Sequence, residues 1–170
     1  AIAPALIPVA TLFAQNLNRQ EFPAMENTAA RRMITVPAID GLQAVKCDFH
    51  LHTVFSDGEV WPVTRVEEAW TDGLDAIAIT DHDRYKPHRD YLKADNATPF
   101  EIAKEAADER GILLIPGLEI TRKMPPGHFN SLFLTDANLP ELEDTARSAF
   151  LVAVEKLAAQ GALLVWNHPG

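Results

Sequence analysis

His50 and His52 stand two residues apart in a stretch, residues 45–52, where apolar and polar residues alternate. Alternation with a period of two predicts a β-strand, on which both imidazoles point to one face with their Cα atoms roughly 7 Å apart. Two neutral imidazoles that lie this close can bind one metal ion. Asp57 follows in a Ser-Asp-Gly turn, near enough to fold back beside them. Because paired histidines also occur at polar strand ends, the metal hypothesis depends on the same residue types recurring along the chain.

The elements that must position these side chains alternate between strand and helix. Thr98, Pro99 and Glu101 fit a capping box at the start of a helix. Cys47 falls on the apolar side of the first strand, where we expect it to be buried, and we do not assign it to the metal. Such alternation implies a parallel sheet with right-handed crossovers. Hydrophobic patterns predict strands over residues 45–51, 74–80, 112–115, 128–134 and 162–166, and helices over residues 62–72, 98–110 and 140–160.

Residue types that bind metals recur where these strands end. In parallel α/β folds the carboxyl ends of the strands converge on one surface, where ligands bind. Taken singly, such residues are equally typical of caps and turns, but their recurrence indicates a shared site. Imidazoles and carboxylates without thiolates suit zinc, manganese or iron. Besides the first histidine pair, the set comprises Asp81, His82, Asp83, Glu119, Asn167 and His168 at strand ends, with His128 and Asn130 at the beginning of the fourth strand.

Length and composition restrict the class of protein. A chain of 170 residues, 47% of them hydrophobic, is long enough for one domain with its own core. The formal net charge of −9 argues against broad binding to nucleic acids or anionic membranes, which favour a basic surface. A small anionic substrate is compatible with that charge, because bound divalent cations reverse it locally. The single cysteine excludes an intrachain disulfide.

The first residues form a separate segment. Residues 1–14 are apolar and uncharged, shorter than the roughly 20 residues of a membrane span, and similar to the hydrophobic part of a signal peptide cleaved after Ala14. We therefore expect a signal-peptide remnant at 1–14, a polar linker at 15–40 and the functional domain at 41–170. Export to the periplasm or the cell exterior follows from this interpretation. A disordered or core-packed arm is the alternative for the segment, and a cytoplasmic location is the alternative to export.

Five motifs occur in order along the chain: D-F-H-L-H-T with S-D-G, I-T-D-H-D, P-G-L-E-I-T, G-H-F-N and W-N-H-P. Together they resemble the PHP family, named for its polymerase and histidinol phosphatase domains, over about residues 45–170. The resemblance implies a distorted TIM-like (β/α)7 barrel, truncated here on its C-terminal side, with a cluster of two to three divalent metal ions. The family's closing Asp-x-His motif does not occur up to Gly170, so we expect it further along a longer protein.

The resemblance also implies which residues bind these ions. His50, His52 and Glu119 would bind one metal ion. Glu119 would bridge to a second ion, which His128 and His168 would also hold. A carboxylate can bridge in this way because it offers two oxygens.

A third ion would be held by Asp57 and His82, again by resemblance to the family. Carboxylate and amide groups beside metal ligands commonly orient them through hydrogen bonds. We expect Asp81 to play this part towards a ligand imidazole, and Asn130 and Asn167 to act similarly.

These assignments predict hydrolysis of a phosphoester, either a small phosphomonoester or a nucleotide. A hydroxide that bridges two metal ions would attack phosphorus in line, because the metals lower the pKa of water to about 7 and stabilise charge on the phosphate oxygens. Asp57, His82 and Glu119 would contribute to catalysis through the metals that they hold.

Basic residues near the predicted metal site are candidates for binding the substrate. Arg84 begins a basic loop after the second strand, and Arg122 and Lys123 follow Glu119 closely. Arginine or lysine there would bind a phosphate or a second anion. A solvated charged loop is the alternative for the same residues.

Three other functions are compatible with the sequence. The first is a nuclease or a proofreading domain, since PHP modules also occur in DNA polymerases; the acidic charge and the signal-like first residues argue against it. The second is a metal-binding module without turnover. The third is a carbohydrate- or protein-binding α/β domain that holds no metal.

Overall fold

The computed structural model describes residues 30–92, 94–123, 126–139, 142 and 146–168. The strands lie in chain order in one curled, half-barrel sheet, which confirms the α/β class and is compatible with a truncated barrel. The predicted signal-peptide segment and most of the linker lie outside the described residues. The elements are β1 Cys47–Leu51, α1 Pro62–Asp72, β2 Ala76–Ile79, α2 Thr98–Arg110, β3 Leu113–Thr121, β4 His128–Leu132, α3 Arg147–Ala159 and β5 Leu163–Asn167.

The first half of the fold packs α1 and α2 against β1, β2 and the start of β3. Pro62 begins α1 as predicted, and Gly73 ends it with a φ of 82°, a left-handed conformation that favours glycine. All four residues of β2 are buried, which explains their continuous apolar run. Val66 of α1 and Ala103 of α2, both fully buried, pack on Ile77. This core fixes the carboxyl ends of β1 and β2 at one edge of the sheet.

Strand β3 changes partner along its length. Its first part, Leu113 to Pro116, pairs in parallel with β2, and the part from Gly117 to Thr121 pairs with β4. A Cβ at Gly117 would lie 3.0 Å from Thr80 Cγ2 and 3.3 Å from both the Ile79 carbonyl oxygen and Leu132 Cδ2, which is tighter than usual, so the packing around this strand favours glycine here. The predicted strand ended at residue 115, and β3 in fact continues through the Pro-Gly pair to the candidate site.

The prediction of a wholly parallel sheet is wrong, because β4 runs antiparallel to both β3 and β5. Only residues 122–127 connect β3 to β4, whereas a parallel crossover needs about a dozen residues or more. The reversal places His128, the first residue of β4, opposite Thr121 and Asn167, the last residues of its neighbours. The beginning of β4 therefore lies at the same edge as the ends of the other strands.

Helix α3 covers the second half of the sheet. Its residues Phe150, Ala153 and Leu157 are buried against Leu118 and Ile120 of β3. The helix was predicted from residue 140, but Ala146 has an extended backbone (φ −66°, ψ 143°) and the helix begins after it. Residues 140, 141 and 143–145 lie outside the described residues.

Two local predictions are also wrong. The start of α2 is not a capping box: the Asp95 carboxylate accepts hydrogen bonds from the backbone N–H and the hydroxyl of Thr98, both at 2.9 Å. Cys47 is exposed and not buried; it is the first residue of β1, an edge strand of the sheet. Among the described residues, the helices are all too short or too polar to cross a lipid bilayer.

Candidate metal centre

Glu119 is the centre of the site, a fully buried carboxylate on β3. Three imidazoles approach its Oε2: His50 Nε2 at 3.2 Å, His52 Nε2 at 3.1 Å and His82 Nδ1 at 3.2 Å. Two more approach its Oε1, namely His128 Nδ1 at 3.1 Å and His168 Nε2 at 3.5 Å. Five of the six histidines in the chain therefore surround one carboxylate.

The sheet explains this convergence. His50 and His52 sit at the end of β1, with ring centroids 5.0 Å apart, as the predicted alternation requires. His82 follows β2 and forms an isolated parallel bridge with Glu119. The antiparallel β4 supplies His128 from its first residue, beside the end of β5. The structure thus brings the predicted ligands from every strand to one edge.

Asp57 does fold back onto the histidines. Its Oδ1 lies 3.4 Å from His52 Nδ1, and its Oδ2 lies 3.3 Å from His82 Nε2. A Cβ at Gly58 would overlap the His52 carbonyl and lie 2.6 Å from the Thr53 nitrogen, so the loop needs glycine immediately after Asp57. The spacing of the Ser-Asp-Gly turn is therefore set by its close approach to β1.

Asp81 forms hydrogen bonds with this loop and, among the described residues, none directly with an imidazole. Its carboxylate accepts hydrogen bonds from Thr53 N–H at 2.7 Å, Thr53 Oγ1 at 2.6 Å and Ser56 Oγ at 2.5 Å. Ser56 Oγ in turn lies 3.3 Å from His52 Nδ1. Among the described residues, Asp81 therefore reaches a candidate ligand only through Ser56. Thr53 and Ser56, the hydroxyl residues beside the histidine motif, are the sequence signal for a supported loop. The sequence does not show which carboxylate they contact.

The two asparagines form a chain of hydrogen bonds to Glu119. Asn167 Nδ2 donates to Glu119 Oε1 at 3.1 Å and to Asn130 Oδ1 at 2.7 Å. Asn130 Nδ2 donates to the Phe49 carbonyl at 2.9 Å, which joins β4 to β1 across the curled sheet. This chain fixes the orientation of the carboxylate. Thr121, which the sequence analysis missed, orients the ring of His82, because its Oγ1 lies 2.5 Å from His82 Nδ1.

The electrostatics of the site favour an ionised Glu119. Burial by itself would raise the pKa of Glu119, but hydrogen bonds from His52 and Asn167 and the nearby imidazoles hold it far below its ordinary value. Burial would also lower the pKa of His52, yet the contact with Glu119 and the charge of Asp57 outweigh burial and raise it. For His82 burial dominates, and its pKa is lowered. The pKa shifts of His52 and His82 are therefore opposite, although both imidazoles contact the same buried carboxylate.

These side chains fit a metal cluster. A buried carboxylate is costly unless a positive charge compensates it, and a divalent cation held among these imidazoles would supply that charge. Two ligand atoms about 2.1 Å from a tetrahedral ion lie about 3.4 Å apart, close to the separations of 3.1–3.5 Å observed around Glu119. Ligand atoms within 4.8 Å of one another form three groups: His50, His52 and Glu119; His52, Asp57 and His82; His82, Glu119 and His128.

The two candidate arginines lie beside this centre but are already engaged. Arg122 is 8% exposed and donates from Nη1 to Asp83 Oδ2 at 2.7 Å. Arg84 Nε donates to the Leu142 carbonyl at 2.6 Å, and Arg122 Nη2 reaches the same carbonyl at 3.4 Å. Both arginines still line a cavity that opens next to His128.

Comparison with known proteins agrees with this geometry. The family model described as PHP domain matches residues 48–157. The chain belongs to the PHP domain family. A two-domain protein of Bacteroides vulgatus, described as containing a predicted PHP-like metal-dependent phosphoesterase, has a solved structure that is 50% identical, with a TM-score of 0.77. The match covers 83% of this PHP chain and 40% of that one.

Two curated relatives match the PHP chain over shorter stretches. An uncharacterized protein of Methanocaldococcus jannaschii is 38% identical over 82 residues, which is 48% of this chain and 36% of the relative. A 5'-3' exoribonuclease of Haemophilus influenzae is 34% identical over 76 residues, which is 45% of this chain and 23% of the relative. The chain thus spans less than half the length of each of these relatives.

Proposed function

We propose that this PHP domain is a metal-dependent hydrolase of phosphoesters that acts on a small phosphorylated molecule or a nucleotide. The observation that carries the proposal is the buried Glu119 carboxylate surrounded by five imidazoles. The family membership and the relative from Bacteroides vulgatus, 50% identical, support the same class of reaction.

The ligand sets that we propose follow the observed contacts. His50, His52 and Glu119 would hold one ion, and Glu119 with His128 and His168 would hold a second. Zinc, manganese and iron all suit imidazole and carboxylate ligands. When bound, such ions make water a nucleophile at neutral pH and offset charge on the phosphoryl oxygens.

A third ion would be held by Asp57 and His82. His52 lies within reach of both and would be shared between this ion and the first. Asp57 is 48% exposed, so this part of the centre is open to solvent and to an incoming phosphate.

The chain's own residues have three tasks around these ions. Glu119 stays ionised because His52, Asn167 and the nearby imidazoles lower its pKa, and it keeps its orientation because Asn167 donates to it. Asp81 fixes the loop that carries Asp57, through Thr53 and Ser56. His128 and His168 line the cavity beside the centre and would face a phosphate that enters from that side.

Activity measurements on the intact protein test the proposal. Purified protein, stripped with a chelator and reloaded with zinc, manganese or iron, is assayed with p-nitrophenyl phosphate and nucleoside monophosphates. We expect metal-dependent release of phosphate, which Glu119→Gln abolishes and His88→Ala leaves unchanged, because His88 is exposed and outside the centre. Bound metal without hydrolysis of any phosphoester would instead establish a non-catalytic metal-binding module.

A nuclease is the second candidate, but the similarity to a 5'-3' exoribonuclease covers only 45% of this chain and 23% of that relative and does not favour it. The net charge of −9 weighs against it, since polynucleotide binding depends on neutralising many phosphates. Processive degradation of single-stranded RNA at a rate above that of monophosphate hydrolysis would favour the nuclease.

We also propose export, on the basis of residues 1–14 alone. Fractionation of the source cells would find the intact protein in the periplasm or medium. Its recovery only from the cytosol would contradict this.

A further inference from the structure

A cavity of about 790 Å³ opens beside the metal centre, between the β3–β4 connection and the start of α3. Its lining includes four cationic side chains, Arg84, Arg122, Lys123 and Arg147. No carboxylate is among the described residues that line it, although the whole chain carries a net charge of −9. A cationic cavity in an acidic protein is a local feature that selects for an anion.

Part of this positive charge has no ion-pair partner among the described residues. Asp83 pairs with Arg122, but Lys123 and Arg147 are exposed and form no ion pair within the described part of the chain. Arg122 is 8% exposed, and its Nε is a buried donor without an acceptor among the described residues. A buried donor without an acceptor is costly, and an anion in the cavity would relieve that cost.

The position of the cavity links it to the reaction. His128 and His168 line the cavity and also contact Glu119 Oε1 at 3.1 and 3.5 Å. One small molecule can therefore reach the metal centre and the cationic side chains together. Phe150, also in the lining, offers an apolar surface for the carbon part of such a molecule.

We propose that the cavity binds a second anionic group of the substrate, so that the preferred substrate is an organic phosphate with another phosphate on the same small molecule. The inference rests on the proposed phosphoesterase function and assigns its substrate class. The phosphate at the metal centre is hydrolysed: a water oxygen bonds to phosphorus, the ester P–O bond breaks, and the departing alcohol oxygen takes up the proton that water loses. The second phosphate stays bound to Lys123 and Arg147 and is not cleaved in that step.

The test compares straight-chain diol bisphosphates of increasing length with alkyl monophosphates of the same lengths, using the metal-loaded intact protein. We expect kcat/KM to be at least about tenfold higher for the bisphosphate at the best length, the effect of one charge-assisted contact. Lys123→Met and Arg147→Met, which keep much of the apolar stem, should remove this advantage through KM. Their kcat/KM for bisphosphates should fall more than their kcat/KM for monophosphates, so that the ratio of the two approaches one. Lys104→Met, an exposed cation on α2 outside the cavity, is the matched control.

Equal kcat/KM for both series at every length, or an unchanged preference in both cavity variants, would overturn the proposal. If neither series is hydrolysed, the proposed phosphoesterase function fails, and calorimetric binding of propane-1,3-diol bisphosphate then tests the cavity separately. Binding weakened at least about tenfold by the cavity variants and not by Lys104→Met would still support the anion site. Equal binding by all three variants would exclude it. Thermal unfolding of each variant confirms that it is folded.

Discussion

Replacing Asp81 by asparagine tests how the site loop is held. The Asp81 side chain is 5% exposed and accepts three hydrogen bonds, from Thr53 N–H at 2.7 Å, Thr53 Oγ1 at 2.6 Å and Ser56 Oγ at 2.5 Å. Asparagine can keep one carbonyl oxygen towards Thr53 N–H and Ser56. Its NH₂ group then faces Thr53 Oγ1, which must turn its hydroxyl to accept.

The magnitude follows from these contacts. Two charge-assisted hydrogen bonds become neutral ones, at a cost of about 1 kcal/mol each, so Asp81→Asn should lower the free energy of unfolding by about 2 kcal/mol. Asp81→Ala leaves all three donors without their acceptor and should cost about 4 kcal/mol or more. Because the loop carries Asp57, we also expect metal affinity to fall about 10–100-fold in Asp81→Asn.

Urea unfolding and metal titration of the intact protein measure both effects. Asp48→Asn is the matched control, since it also removes a carboxylate near the histidines but affects a single exposed hydrogen bond, from His50 N–H at 3.1 Å, which the asparagine carbonyl can still accept. It should change stability by less than about 0.5 kcal/mol. The reasoning is refuted if Asp81→Asn and Asp48→Asn behave alike in both measurements.

Three further changes test other parts of the fold. Gly58→Ala places a Cβ against the His52 carbonyl, so it should lower the free energy of unfolding by about 2 kcal/mol or more. Thermal unfolding measures this change, and an unchanged stability would mean that the loop approaches β1 less closely. Asn167→Leu removes the donor to Glu119 and should weaken metal binding about tenfold by titration, whereas unchanged affinity would show that the amide does not orient the carboxylate. Asp75 accepts hydrogen bonds from the side chain and the backbone of Lys46, which hold its pKa below the ordinary 3.8. Because the folded-state pKa lies below the unfolded value of 3.8, the ionised Asp75 stabilises the fold above that pH, by at most about 1 kcal/mol relative to Asp75→Asn. This advantage should decline as the pH falls from about 3.8 and be lost below the folded-state pKa; an advantage that does not decline on acidification would contradict the assignment.

The edge of the sheet that carries the site could be predicted from the sequence, because it follows from local patterns. Alternation around His50 and His52 sets their common face, and apolar runs followed by polar residues mark where β1 and β2 end. Those signals act over a few residues and do not depend on the rest of the fold. Convergence of these ends then follows from the general geometry of α/β folds.

The direction of β4 could not be predicted once β3 was ended at residue 115. The Pro116–Gly117 pair is typical of a turn, yet here it lies where the strand exchanges β2 for β4 as partner. Tertiary packing against Thr80 and Leu132 overrides the local tendency of glycine. With the true end at Thr121, the six-residue connection would have indicated the reversal.

Supporting contacts were the least predictable part of the site. Asp81 was expected to orient an imidazole, but the sequence did not indicate its direct partners, Thr53 and Ser56, which become its neighbours because β1 and β2 pair. Arg147 joins Lys123 at the cavity for a similar reason, since α3 packs over β3. Contacts between distant segments leave no local pattern in a single sequence.

Anomalous diffraction from crystals of the intact protein grown with zinc or manganese tests the central claim most directly. We expect at least two peaks at the metal edge, each about 2.0–2.2 Å from histidine nitrogens and carboxylate oxygens of the centre, with Glu119 contacting two of them. A difference map with no peak within about 3 Å of Glu119 would show that the imidazoles do not gather around metal ions.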